Sequence, residues 1–160
     1  MGNYDFHLAV NDDIPVIVNL YHSLVGTPGC TWDYEYPSEE TAKYDIENEA
    51  LYVLSKDNEI IAVATATDKY NELEHLQWTI QRPCELYRIG VSPSFQKQGI
   101  GSIILQNIIT NMQEKGFDGI RQIVSKTNPA ALALYDKNGF ERCGETLMFE
   151  HEWYCYQILF

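Results

Sequence analysis

Leu86-Tyr87-Arg88-Ile89-Gly90-Val91-Ser92-Pro93-Ser94-Phe95-Gln96-Lys97-Gln98-Gly99-Ile100-Gly101-Ser102 is the stretch that decides the fold. Leu86–Val91 has strand composition and Ser92-Pro93 interrupts it. A helix then runs from Gly99 to about Lys115, with Ile100, Ile103, Ile104, Ile108 and Met112 on one face. The first turn of a helix leaves backbone N–H groups without partners, and the macrodipole adds positive charge there. Glycines let the backbone approach an anion closely, so the loop suits a phosphate, with Gln96, Lys97 and Gln98 adding polar groups. A dinucleotide-binding loop would carry a third glycine where Ile104 stands. A P-loop would follow its second glycine with Lys, but Gly101 is followed by Ser102-Ile103. What remains is Q-x-x-G-x-G, on Gln96, Gly99 and Gly101.

Working outward from this stretch, the residues alternate over 3–10, with Tyr4, Phe6, Leu8 and Val10 on one face, which predicts a first strand. Asn11-Asp12-Asp13 opens a helix carrying Ile14, Ile17, Val18, Tyr21, Leu24 and Val25, and Gly26 ends it. Gly26 to Pro37 has no period and reads as a loop, and Ser38-Glu39-Glu40 starts a polar helix to about Glu49. Leu51–Ser55 and Ile60–Thr67 form a hairpin through Asp57-Asn58. The polar stretch 69–83 follows, with Leu76–Ile80 read as a continuation of the third strand. Beyond the central helix come a strand at Ile120–Val124, a helix from Pro129 to Lys137 and two strands near 142–149 and 153–160. The order β-α-α-β-β-β-α-β-α-β-β predicts one α/β domain over 1–160, a mixed and mainly antiparallel sheet flanked by helices.

The 160 residues suffice for one well-buried core. The net charge of −12 argues against nucleic acid, since phosphate binding rests on Lys and Arg. No apolar run reaches the roughly 20 residues of a membrane span, and the first six residues have neither a basic signal region nor a myristoylation pattern. Cys30, Cys84, Cys143 and Cys155 form no zinc-like grouping with the histidines. No metal is therefore expected, and reduced thiols point to a cytoplasmic protein. The charge is uneven: residues 1–81 hold three lysines against 15 acids, whereas 82–142 hold eight basic residues against five acids. Such a split suits two partners of opposite charge.

The central loop is joined by a second motif, N-x-x-A-x-x-x-Y-x-x-x-G-F, on Asn128, Ala131, Tyr135, Gly139 and Phe140. Together, in this order, they resemble the GNAT superfamily of acetyl-CoA-dependent N-acetyltransferases. The resemblance is specific over about 86–142, and the element order extends it over nearly the whole chain. It implies acetyl-CoA as co-substrate. The backbone of Ile89, Gly90 and Val91 would lie along the pantetheine arm, beside a slot opened by a bulge that Gly90 would ease. Gln96, Lys97 and the N–H groups of Gln98, Gly99, Ile100, Gly101 and Ser102 would hold the pyrophosphate. Asn128, with Ala131 at the adjoining motif position, would contact pantetheine. Tyr135 stands at the position of the general acid. Glu85, 11 residues before Gln96, is the candidate base, with a water chain as the alternative. Cys84 has no neighbouring histidine in sequence to activate it, which argues against an acyl-cysteine route.

In similar proteins the loop between the first two helices and the final hairpin line the acceptor site. Here that loop offers Trp32, Asp33 and Tyr34, a set suited either to a cationic amine or to capping the core. Arg82 or Arg88 would instead favour an acceptor carboxylate. The expected reaction is direct transfer to a primary amine of a small cationic acceptor. A protein N-terminus or lysine, or non-catalytic sensing of acyl-CoA, are the alternatives. The apolar last strand, Trp153 to Phe160, suits either an edge-to-edge homodimer or a strand buried within the sheet.

Overall fold

A computed structural model describes residues 3–160. The strands are β1 (Tyr4–Leu8), β2 (Leu51–Lys56), β3 (Glu59–Thr67), β4 (Pro83–Val91), β5 (Gly119–Ser125), β6 (Glu141–Met148) and β7 (His151–Leu159). The helices are α1 (Ile14–Leu24), α2 (Glu39–Glu47), α3 (Ile100–Glu114) and α4 (Pro129–Lys137). All seven strands form one sheet in the order β1-β2-β3-β4-β5-β7-β6, antiparallel except where β4 and β5 run side by side. This is the mainly antiparallel α/β domain expected from the element order.

Strand alternation decides which helix covers which face. Leu51, Val53 and Val63 face one way, onto Ile17, Leu20, Tyr21 and Leu24 of α1 and Ala42 of α2. Tyr52, Leu54, Ala62, Ala64 and Ala66 face the other, onto the Ile104, Leu105, Ile108 and Met112 stripe of α3 and Tyr135 of α4. The small alanines of β3 let α3 lie close to the sheet. The helix starts follow local chemistry: Ser38 caps α2 by accepting from Thr41 N–H, and Asn128 caps α4 by accepting from Ala131 N–H.

Three expectations need correction. Leu76–Ile80 is not strand: residues between β3 and β4 form a long loop held by tertiary bonds. In β1 only Phe6 is covered, stacked on Tyr52 at 5.2 Å, while Tyr4 and Leu8 stand exposed and Val10 lies beyond the strand. The last strand, β7, is paired on both sides by β5 and β6, so it offers no edge to a second copy. The sheet's edges are β1 and β6.

Candidate active site

β4 and β5 pair only at Pro83–Glu85 with Gly119–Arg121. Beyond that crotch the strands part, leaving a slot between Leu86–Val91 and Gln122–Ser125. On the other side of β4, Thr65 opposes Tyr87 and Val63 opposes Gly90, so two residues, Arg88 and Ile89, face the single Ala64. This is a β-bulge. Its left-handed residue is Arg88, at φ +49°, and not Gly90, which pairs regularly. Gly90 instead makes room: a Cβ there would come 2.8 Å from Leu24 Cδ1 and 3.5 Å from Trp32 Cη2. Ser92 N–H donates to Ile61 O at 2.8 Å. Because N–H groups alternate sides along an extended strand, the preceding Val91 N–H points away from β3, into the slot.

The loop after β4 contains a 3₁₀ turn, Pro93–Phe95, and leads to Gly99 in the left-handed conformation, φ +77°, as the N-cap of α3. The first backbone bond of α3 runs from Ile103 N–H to Gly99 O, at 3.1 Å, so Ile100, Gly101 and Ser102 keep free N–H groups. Nothing lies within 4 Å of where a Gly99 Cβ would stand, so the cradle is open on that side. Gly101 has a different task. Its Cβ would sit 3.3 Å from Leu134 Cδ1, so this glycine lets α3 and α4 pack closely. Ser102 Oγ accepts from Asn138 Nδ2 at 3.1 Å and ties the same two helices. Gln96 Nε2 bonds Val91 O, Gln98 Nε2 bonds Ser94 O, and Lys97 takes φ +62°. Asn128 Oδ1 is used in capping, and Ala131 donates that bond.

The two faces of the crotch differ chemically. On the α3/α4 face Tyr135 is 2% exposed, edge-on to Phe140 and facing Gln122, the first residue of the splayed half of β5. Burial pushes its phenol above the usual range, and the Gln122 contact only partly opposes this, so the hydroxyl stays protonated. Gln122 is itself buried, and beyond the Tyr135 contact its Nε2 has no partner. On the α1/α2 face Glu85 is fully buried, with Oε2 at 2.6 Å from Arg121 Nη2 and 2.8 Å from its Nε. The carboxylate also accepts from Leu73 N–H and the Tyr87 hydroxyl. Both oxygens are therefore already occupied by the protein. Cys84 is buried against Met112 Sδ, and burial pushes its thiol up to about 12.

The three residues expected at the acceptor do not converge. Trp32 packs edge-on against Tyr21, Asp33 Oδ1 accepts from the N–H groups of Glu35 and Tyr36 in its own turn, and Tyr34 lies exposed beside His22. Only Trp32 reaches β4. Arg88 gives Nη1 to Tyr36 and Nη2 to Asp45, and the exposed Arg82 gives Nη1 to Gly116 O over the Phe117 ring. A cleft of about 290 Å³ opens instead on the α1/α2 face, lined by His75, Leu76, Gln77, Gly144, Glu145 and Cys155. Cys155 opposes Ile123, in the splayed half of β5. The final hairpin was the expected wall of an acceptor site, but the opposite wall, His75 to Gln77, lies in a non-periodic loop that carried no signal. Gly29 was equally hidden. At φ +79° it lies against the backbone of Thr127 and Asn128, where a Cβ would fall 2.5 Å from Asn128 Cα. Among the described residues no group of three or more His, Cys, Asp or Glu side chains gathers as a metal site, and no helix is long and apolar enough to cross a membrane.

Comparison with known proteins matches residues 17–140 to the model of the Acetyltransferase (GNAT) family. A ribosomal protein bS18-alanine N-acetyltransferase of Escherichia coli K12 is 36% identical over 55 residues, 34% of this chain and 37% of that protein. A mycothiol acetyltransferase of Paenarthrobacter aurescens is 32% identical over 92 residues, 52% of this chain and 28% of that protein. The matched segments thus span well under half the length of these relatives. Among solved structures, a GNAT-family acetyltransferase of Streptococcus agalactiae superposes at TM-score 0.84 with 20% identity, covering 98% of this chain and 95% of that one. A paia N-acetyltransferase of Thermoplasma acidophilum in complex with coenzyme A superposes at 0.74 with 16% identity, covering 99% of each. At these identities the superpositions speak for the fold.

Proposed function

Because the chain belongs to the Acetyltransferase (GNAT) family, we propose that it transfers the acetyl group of acetyl-CoA directly to a primary amine. The observation that carries this reading is the slot between β4 and β5, with the open, glycine-capped start of α3 beyond it. The pyrophosphate lies on the N–H groups of Gln98 to Ser102, with Gln96 and Lys97 alongside. Pantetheine runs past Ile89, Gly90 and Val91, near Asn128 and Ala131. Gln122, whose buried Nε2 has no partner beyond the Tyr135 contact, gains one there. The amine nitrogen attacks the thioester carbon, and Val91 N–H polarises the carbonyl oxygen that becomes negative. The carbon–sulfur bond breaks, the departing sulfur takes the Tyr135 proton, and the amine yields its proton to water in the cleft.

In this reading Glu85 is not the base. An amine can reach it only after the Leu73 loop and Tyr87 have moved, so its role is to hold Arg121, the crotch and the long loop together. The acceptor enters the cleft between that loop and the β6–β7 hairpin, where Glu145, ion-paired with Lys126, stands at the rim. A cleft of about 290 Å³ has room for a small amine. Trp32 shapes the wall of the site from behind Gly90. The test is to mix the protein with acetyl-CoA and a panel of small amines, lysine peptides and alanine-terminated peptides, and to follow thiol release. Release with small cationic amines supports the reading. Release only with alanine-terminated peptides moves the acceptor class toward the activity named for the E. coli relative. Binding of acetyl-CoA without transfer to any amine points to a sensor.

A further inference from the structure

The bulge at Arg88–Ile89 sets the phase of everything after it. With one extra residue in β4, Val91 N–H faces the slot and Gly90 N–H faces β3. Were the bulge to iron out, every group beyond it would change sides, because a one-residue slip inverts the strand's alternation. The left-handed conformation at Arg88 is unfavourable for a residue with a Cβ and persists only where the surroundings enforce it.

Those surroundings are specific. Arg88 Nη2 meets Asp45 Oδ2 at 2.7 Å, and Nη1 donates to the Tyr36 hydroxyl at 2.9 Å. The side chain is only 10% exposed, and its charge centre lies 5.5 Å from the Tyr87 ring. Asp45, 1% exposed in α2, is completed by Thr65 Oγ1 at 3.0 Å and by the Tyr70 hydroxyl at 2.6 Å. Thr65 is the β3 residue opposite Tyr87, at the last regular pair before the bulge. One buried carboxylate therefore joins both strands at the irregularity to α2 and the long loop after β3, and Arg88 ties in the 31–37 loop through Tyr36. Nη1 and Nη2 are thus both engaged within the protein, and Nε is buried without a partner. The geometry is that of a fastening.

We infer that the Asp45–Arg88 ion pair is a positioning clamp that pins the β4 bulge and so aims the Val91 N–H at the thioester carbonyl. Its catalytic consequence rests on the transferase reading above, whereas its effect on the strand does not. Arg88 and Asp45 touch no substrate; they act through the backbone of Val91.

The test uses the full chain with Asp45→Asn, Arg88→Gly and Arg88→Lys. Glycine adopts the left-handed conformation freely, so Arg88→Gly keeps the backbone permitted while removing the fastening. The expected result is a fall in kcat of about tenfold or more in Asp45→Asn and Arg88→Gly, with coenzyme A affinity within about threefold of the parent. Arg88→Lys, which keeps a cation but loses the forked donor, falls between. Amide hydrogen exchange supplies a readout independent of activity: Gly90 is protected and Val91 exchanges fast in the parent, and the contrast shrinks or inverts in the two severe variants. If Asp45→Asn and Arg88→Gly keep both the parental kcat and the parental exchange pattern, the clamp is refuted. Equal losses of kcat and coenzyme A affinity in Arg88→Lys would also overturn it, as general damage to the fold. Should the severe variants not fold, Tyr36→Phe, which deletes one exposed hydroxyl bonded to Arg88, must still lower kcat at unchanged coenzyme A affinity. Parental kcat in that variant counts against the clamp. A parent protein that releases no thiol with any amine refutes the transferase reading alone, and the exchange pattern then decides the clamp.

Discussion

Glu85 and Tyr135 show how two residues of similar prominence in the sequence part company once their surroundings are known. Glu85 is enclosed with Arg121, so Glu85→Gln leaves a buried guanidinium without its counter-charge. Truncating one member of such a pair costs about 3–5 kcal/mol, and urea unfolding should register a loss of that order. The folded fraction should retain the parental shape of its pH–rate profile, since water takes the amine proton. Disappearance of the alkaline-rising limb would restore Glu85 as the base. Tyr135→Phe should instead lower kcat by about 10²-fold with little change in coenzyme A affinity, as expected on removing a proton donor. Equal kinetics would leave Tyr135 a packing residue between Phe140 and Tyr156. Cys84, with its thiol buried and pushed up to about 12, should resist alkylation in the folded protein. Rapid labelling with loss of activity would reopen the acyl-cysteine route.

At the scale of elements, the loop that opens α3 separates two glycines that look equivalent in Q-x-x-G-x-G. Gly99 is left-handed and borders open space, so Gly99→Ala strains the backbone of the cradle itself. Gly101 is helical and packed on Leu134, so Gly101→Ala asks only that a leucine end shift by a few tenths of an ångström. Isothermal titration with coenzyme A should show at least about tenfold weaker binding for Gly99→Ala and at most a few-fold change for Gly101→Ala, a strained backbone position being the costlier. The reverse order would mean that close approach of the anion falls at Gly101. The cradle, α3 and α4 were legible in the sequence because local signals agree there: a breaker, a left-handed glycine, a 3.6-residue apolar period and an asparagine cap. The bulge was legible only in part. Sequence pattern placed its flexible residue at Gly90, whereas tertiary bonds from Asp45 and Tyr36 force Arg88 into the unusual conformation. The loop after β3 had no local signal, since its order comes from Glu85, and from Gln157 on β7, 78 residues away from Thr79.

For the whole molecule, the buried protonated groups matter more to pH dependence than the net charge of −12 read from the sequence. Burial raises the pKa values of Tyr21, Tyr70, Cys84, Tyr87 and Tyr135, and these five groups lie in both halves of the core and around the crotch. In the unfolded chain the thiol and phenols titrate near their ordinary values of 9.0 and 10.0. Above pH 9 the unfolded state therefore binds fewer protons than the folded one, and stability must fall as pH rises. The contribution is complete below about pH 9 and is lost on the way to the folded values, about 12 for Cys84. Urea midpoints should thus decline steeply between about pH 9 and 12. Tyr135→Phe removes one titrating phenol at a site where the ring packing is kept, so its midpoint should decline less steeply over the same range. A parental slope in that variant would mean that the Tyr135 hydroxyl reaches water in the folded protein, and it would then be as accessible to solvent as to the departing sulfur.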